Sequence, residues 1–177
     1  IYTLSLHDAL PISQLYLEIT ECILKRFCQK QGLSHNNDNL TEVYKEELEQ
    51  LGSIAWETLK RYKMHIDEGV FTATTTRKSP LFEFLSVQSN SSKRRSHTCY
   101  QFSHKSFQEF FAGLYLSDQI LKGETDFEGL LSNKQGNLKS LEQVLLFTAG
   151  ILSYKSEKDA CSLLKMIIKK INHFQNL

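Results

Sequence analysis

The run Tyr100-Gln101-Phe102-Ser103-His104-Lys105-Ser106-Phe107-Gln108-Glu109-Phe110-Phe111-Ala112-Gly113-Leu114-Tyr115-Leu116 changes its period midway. Its first residues alternate aromatic and polar, as a strand does. From Ser106 onward, Phe107, Phe110, Phe111 and Leu114 recur at helical spacing and share one apolar face. Ser106 followed three residues later by Glu109 is a capping-box pattern, which predicts the helix start. His104 then lies at a strand-to-helix junction, near a helix N-terminus whose unpaired N–H groups and partial positive charge suit phosphate. Local physics alone favours an ordinary polar residue at a turn, because single histidines are seldom ligands.

The rest of the chain reads as helices around one hairpin. Tyr16, Ile19, Ile23 and Phe27 predict a helix over 14–30, which Gly32 can end. Ser34 to Asn39 is a polar loop, with Asn39 a candidate N-cap. A helix over 40–63 carries Leu40, Tyr44, Leu48, Leu51, Ala55, Leu59 and Tyr62 in one stripe. Thr72 to Lys78 is a linker, and Pro80 opens a short helix through Phe84. Leu85 to Gln88 and Thr98 to Phe102 alternate as two strands around a polar tip, Ser89 to Ser96. Helices follow at 106–122, 126–132, 138–153 and 157–174. The helix at 106–122 is apolar nearly all round, which implies burial between two layers. Ser156 with Asp159 caps the last helix, whose inner face is Leu163, Leu164, Ile167, Ile171 and Phe174.

Composition narrows the chemistry. The 177 residues are 41% hydrophobic and 23% charged with a net charge of +1, enough to bury a core and too neutral to attract nucleic acid or anionic membrane globally. No apolar run approaches the roughly 18–20 residues that span a bilayer. Cys22, Cys28, Cys99 and Cys161 are scattered without C-x-x-C or zinc-like histidine spacing, so no metal is expected, and reduced cytoplasmic thiols are the simplest account.

No glycine is followed by lysine, so the chain carries no P-loop, and neither a G-x-S-x-G nor an H-E-x-x-H motif occurs. Adjacent carboxylates such as Glu46-Glu47 and Asp67-Glu68 point apart and read as solvated surface. The chain is expected not to be an enzyme.

Four stretches resemble NOD-like receptors, the NACHT-containing innate immune sensors of the STAND class. Phe102-Ser103-His104-Lys105-Ser106-Phe107-Gln108-Glu109-Phe110-Phe111-Ala112 resembles the F-x-H-x-S-F-Q-E-F-F-A-A-x-Y-L stretch near the end of that family's winged-helix domain. Gln14 to Ile19 resembles the helix that opens the domain, and Leu51-Gly52-Ser53-Ile54-Ala55-Trp56-Glu57 resembles a second helix of it. Leu138 to Leu152 resembles the start of the helical domain that follows. The resemblance covers about residues 14–152.

It implies a mainly α fold with one β-hairpin: a winged-helix domain at 14–122, then part of an α-helical bundle domain at 123–177. The implied role is regulatory. Such receptors are held closed by ADP and released by exchange for ATP, after which they oligomerise in the cytoplasm. His104 matches the histidine that touches the ADP phosphate. The nucleotide would be bound only in the full-length parent, and the implied partners are a preceding NACHT nucleotide-binding domain, following helical or repeat domains, and further copies.

The alternative class is a winged-helix nucleic-acid-binding module. Lys93-Arg94-Arg95 with His97 would be the wing tip, and Lys60, Arg61 and Lys63 the end of a recognition helix. Glu42, Glu46, Glu47 and Glu49 on the same helix would face phosphates badly, so nucleic acid is disfavoured.

Thr3-Leu4-Ser5-Leu6-His7-Asp8-Ala9-Leu10-Pro11-Ile12 resembles a translated sequencing adapter. Residues 1–13 are therefore read as a non-native segment, and residues 1–12 are expected to be loosely attached and to add nothing to the fold.

Overall fold

A computed structural model of the chain describes residues 6–33, 39–71, 79–89, 98–124 and 141–175. Its first helix, α1, runs Leu6–Lys30 with Pro11 inside it, eight residues earlier than expected. Residues 6–12 thus take helical backbone as part of α1. Helix propagation explains it: once a nucleus exists, each further residue adds a hydrogen bond, and Leu, His, Asp and Ala oppose this only weakly. Pro11 forfeits one such bond.

Gly32, at φ +67°, ends α1 as expected, and the Leu33 amide turns back to the Cys28 carbonyl at 2.9 Å. Asn39 caps α2 (Leu40–Val43), its Oδ1 accepting from the Glu42 amide at 3.3 Å. A second cap comes from α1. The two carboxylate oxygens of Glu21 accept from the amides of Leu40 and Thr41, each at 3.0 Å, placing negative charge on a helix N-terminus.

The single helix expected over 40–63 is two. It breaks at Tyr44 (φ −102°, ψ 28°) before α3, Lys45–Lys60. The Tyr44 ring meets Phe27 edge-on at 6.0 Å and its hydroxyl lies 3.5 Å from the Cys28 sulfur. Those two anchors on α1 account for the break. Tyr62, expected on the apolar stripe, is instead 68% exposed in the turn after α3.

The hairpin strands β2 (Leu85–Ser89) and β3 (Thr98–Phe102) form as expected, with Leu85 opposite Phe102 and Val87 opposite Tyr100. The fold is not limited to one hairpin. A two-residue strand, β1 (Ile66–Asp67), pairs antiparallel with β3 to give a three-stranded sheet in the order β1-β3-β2. Two residues are too short to show a period. Short 3₁₀ turns at Glu68–Val70 and Pro80–Phe84 flank the linker, and Ser79 caps the second through the Leu81 amide. The hairpin tip, the Thr72–Lys78 linker and the helix expected at 126–132 lie outside the described residues.

After β3 the chain enters α4 (Lys105–Leu121), then α5 (Glu142–Lys155) and α6 (Glu157–Gln175). The molecule is mainly helical with a small antiparallel sheet. It divides into two compact units, 16–112 and 1–15 with 113–177. The division falls within α1 and α4.

In the unit 16–112, aromatic rings make the core. Phe84 meets Phe111 at 4.9 Å and Phe110 meets Tyr16 at 5.4 Å. Phe71, Phe82 and Tyr100 form a second cluster with 5.3 Å between each pair of centroids. Phe107 here and Leu114 in the other unit, both expected in the core, are half-buried, whereas Gln108 and Glu109 are buried.

In the other unit, Leu145, Ala149 and Leu152 of α5 meet Ala160, Leu163 and Ile167 of α6, with Ile120, Leu141 and Leu164 packed against them. Ser156 caps α6 as expected, its hydroxyl accepting from the Asp159 amide at 3.4 Å. Ser13 is buried and donates to the Phe147 carbonyl at 3.5 Å.

Phe111 is 0% exposed, so Phe111→Ala should cost about 3–5 kcal/mol in a denaturant titration. Gly113→Ala should also destabilise. An added Cβ would lie 2.7 Å from the Phe147 Cβ and 3.1 Å from the Thr148 nitrogen and the Val144 oxygen. No flexible side-chain end can yield there, so about 1–3 kcal/mol is expected by the same measurement.

Candidate functional site

His104 sits where the sequence predicts, in the two-residue bend between β3 and α4, with its side chain exposed. The bend is pinned from outside the helix. The Ser103 amide and hydroxyl both donate to the Phe84 carbonyl, at 3.0 and 3.2 Å. The His104 carbonyl accepts the first amides of the helix, Phe107 at 3.1 Å and Gln108 at 3.4 Å. His104 is therefore the residue from which α4 starts.

Here the capping box fails. The helix begins at Lys105, so Ser106 is already inside its first turn. Glu109 does not reach back to an N-cap; it pairs with Lys105 at 3.2 Å. The N-cap position falls at His104, two residues before Ser106, since the Ser103–Phe84 bonds fix where the strand stops. The amides of Lys105 and Ser106 have no partner among the described residues, as expected at the N-terminus of a 17-residue helix. The exposed His104 directly precedes this terminus, and helix N-termini suit anions.

The polar group missed from sequence is Gln108. It is 3% exposed, and its Nε2 donates to the Thr58 hydroxyl at 2.9 Å and to the Lys63 carbonyl at 3.4 Å. The signal in the sequence is a polar residue set among Phe107, Phe110 and Phe111. Its partners, about 50 residues away, had none.

The residues of the nucleic-acid reading divide. Lys93, Arg94, Arg95 and His97 lie outside the described residues. Lys60 and Arg61 both pair with Glu57, Arg61 at 3.7 Å, and the Lys60 ammonium lies 5.5 Å from the Trp56 ring centre. Lys60 and Arg61 thus share one carboxylate, which offsets part of the positive charge at that helix end.

All four cysteines are free, and among the described residues no group of three or more metal-ligating side chains occurs. No described helix is long and apolar enough to cross a membrane. Comparison with protein-family models and with curated proteins gives no match for this chain.

One described side chain with a displaced titration is Tyr44, pushed up to about 12 by burial, then by its hydrogen bond with Cys28 and the nearby charges of Cys28 and Glu47. A phenol whose folded pKa lies above the unfolded value of about 10 keeps its proton longer in the native state. That contribution is complete below pH 10 and disappears as pH rises from 10 to 12. Thermal midpoints measured across that window should fall more steeply for the wild type than for Tyr44→Phe. Parallel slopes would mean that the hydroxyl titrates normally.

Proposed function

We propose that this chain is the winged-helix and adjoining helical region of a NACHT NOD-like receptor, acting in the cytoplasm to hold the ADP-bound closed state. The observation that carries the reading is the exposed His104 at the start of α4, within Phe102-Ser103-His104-Lys105-Ser106-Phe107-Gln108-Glu109-Phe110-Phe111. An antiparallel sheet in the order β1-β3-β2 beside helices is compatible with a winged helix. The chain departs from the family stretch at Gly113, where the pattern has alanine. The close approach of Phe147 and Thr148 to Gly113 gives that departure a packing reason, remote from the histidine in sequence.

In this reading His104 donates a hydrogen bond to a phosphate oxygen of ADP held chiefly by the preceding nucleotide-binding domain. The terminus of α4 adds partial positive charge to the same side. One charge-assisted bond of this kind biases the closed state by about 1–3 kcal/mol. Exchange for ATP would release the contact and free the receptor to oligomerise, so this region is regulatory and not itself an enzyme. The paired cations at the end of α3 do not favour the nucleic-acid alternative.

In the full-length receptor, His104→Ala should speed ADP release by roughly 5–150-fold and raise ligand-independent oligomerisation. The isolated chain carrying the same change should keep its thermal midpoint, because an exposed side chain contributes little packing. Unaltered exchange together with an unfolded chain would make His104 a structural residue and end this reading.

A further inference from the structure

Three features near His104 are not required by apolar packing. The carboxamide of Gln108 is buried next to phenyl rings. Tyr62 holds a left-handed backbone at φ +53°, a region that side chains other than Gly, Asn and Asp seldom adopt. The carbonyl of the next residue, Lys63, is turned towards α4.

These features form one chain of bonds. Tyr62 turns the backbone so that the Lys63 amide meets the Thr58 carbonyl at 2.9 Å. The Lys63 carbonyl accepts from Gln108 Nε2 at 3.4 Å. A carbonyl only accepts, so the amide nitrogen must face it, and the Thr58 hydroxyl takes the other proton at 2.9 Å. The Thr58 proton then goes to Ile54 or Ala55, at 2.8 and 2.9 Å. The main-chain amide of Gln108 meanwhile donates to the carbonyl of His104 itself.

We propose that Gln108 is the positioning residue of the His104 site: its carboxamide ties the first turn of α4 to the closing turn of α3, so the Arg61–His65 turn sets where His104 is held. The proposal rests on the reading of His104 as the ligand-contacting residue, but the coupling itself needs no nucleotide. That turn is also exposed: Tyr62 is 68% and Met64 58% accessible. Anything that pressed on it would reach His104 through two hydrogen bonds.

The test is NMR on the whole 177-residue chain, reading the His104 ring resonances and the hydrogen exchange of the Phe107 and Gln108 amides. Gln108→Ala and Thr58→Val should shift the ring resonances and speed exchange at both amides by more than 10-fold. Exchange at Leu163 in α6 should stay unchanged as the internal control. Thr58→Ser, which keeps the hydroxyl, should restore wild-type values. Tyr62→Pro, which forbids a positive φ and also removes the Tyr62 amide that donates to the Leu59 carbonyl at 3.0 Å, should act like Gln108→Ala, whereas Tyr62→Gly, which keeps that amide, should not.

His104 resonances indifferent to Gln108→Ala, Thr58→Val and Tyr62→Pro would overturn the proposal. Changes of equal size in Thr58→Ser and Tyr62→Gly, or a parallel rise in exchange at Leu163, would also overturn it by marking a general loss of stability. Because no ADP enters these measurements, the coupling can fail while the phosphate reading stands, and the reverse.

Discussion

Phe110 and Phe111 are consecutive in a helix and neither has exposed surface. Consecutive helical side chains point about 100° apart, so burying both requires α4 to be enclosed over a wide arc. That arc carries Gln108 and Glu109 inward with the rings. A buried carboxamide without partners costs about 1–3 kcal/mol, so the surroundings must supply acceptors. The end of α3 supplies them as the Thr58 hydroxyl and the Lys63 carbonyl. The Lys63 carbonyl is oriented by Tyr62 in its left-handed conformation. The strain at Tyr62 thus follows, through three steps, from the decision to bury two phenyl rings side by side.

The same logic separates what the sequence reveals from what it hides. The strands at 85 and 98, the caps at Asn39 and Ser156, and the glycine end of α1 are all written in local residues, because turn and cap chemistry acts within four positions. The start of α4 is one residue off because a long-range pair, Ser103 with the Phe84 carbonyl, decided it. The break at Tyr44 is hidden for the same reason, since its anchors are on α1. At the site, the position of His104 was legible from the change of period, while Gln108 and its partners were not. Long-range hydrogen bonds between side chain and backbone leave no periodic trace.

Three helix ends show how much composition alone misleads. After α1, α3 and α4 the chain closes with the same kind of back-bond: the Leu33 amide to the Cys28 carbonyl, Lys63 to Thr58 and Glu124 to Gln119. Two closures use glycine at positive φ, Gly32 and Gly123. The third uses Tyr62, which meets the left-handed penalty of about 1–2 kcal/mol that glycine avoids. Ordinary loops shed such a cost by substitution, and a residue that retains it is commonly held in place by its surroundings. Lys63 and Gln108 are those surroundings here.

His104 is in the opposite position. Its carbonyl is committed twice to the first turn of α4, so the backbone at this residue is fixed by the fold. Its imidazole is exposed and no hydrogen bond holds it among the described residues. A fixed backbone with an exposed side chain is the arrangement in which a contact made to an external ligand is least diluted by internal interactions. Loss of that contact would then be felt in the ligand equilibrium and not in folding. Ordering one imidazole costs well under the ~2 kcal/mol that burial of a long side chain does, so most of a phosphate bond would remain as net bias. In the proposed phosphate contact, the preorganised bend is what turns a single hydrogen bond into a workable switch contact.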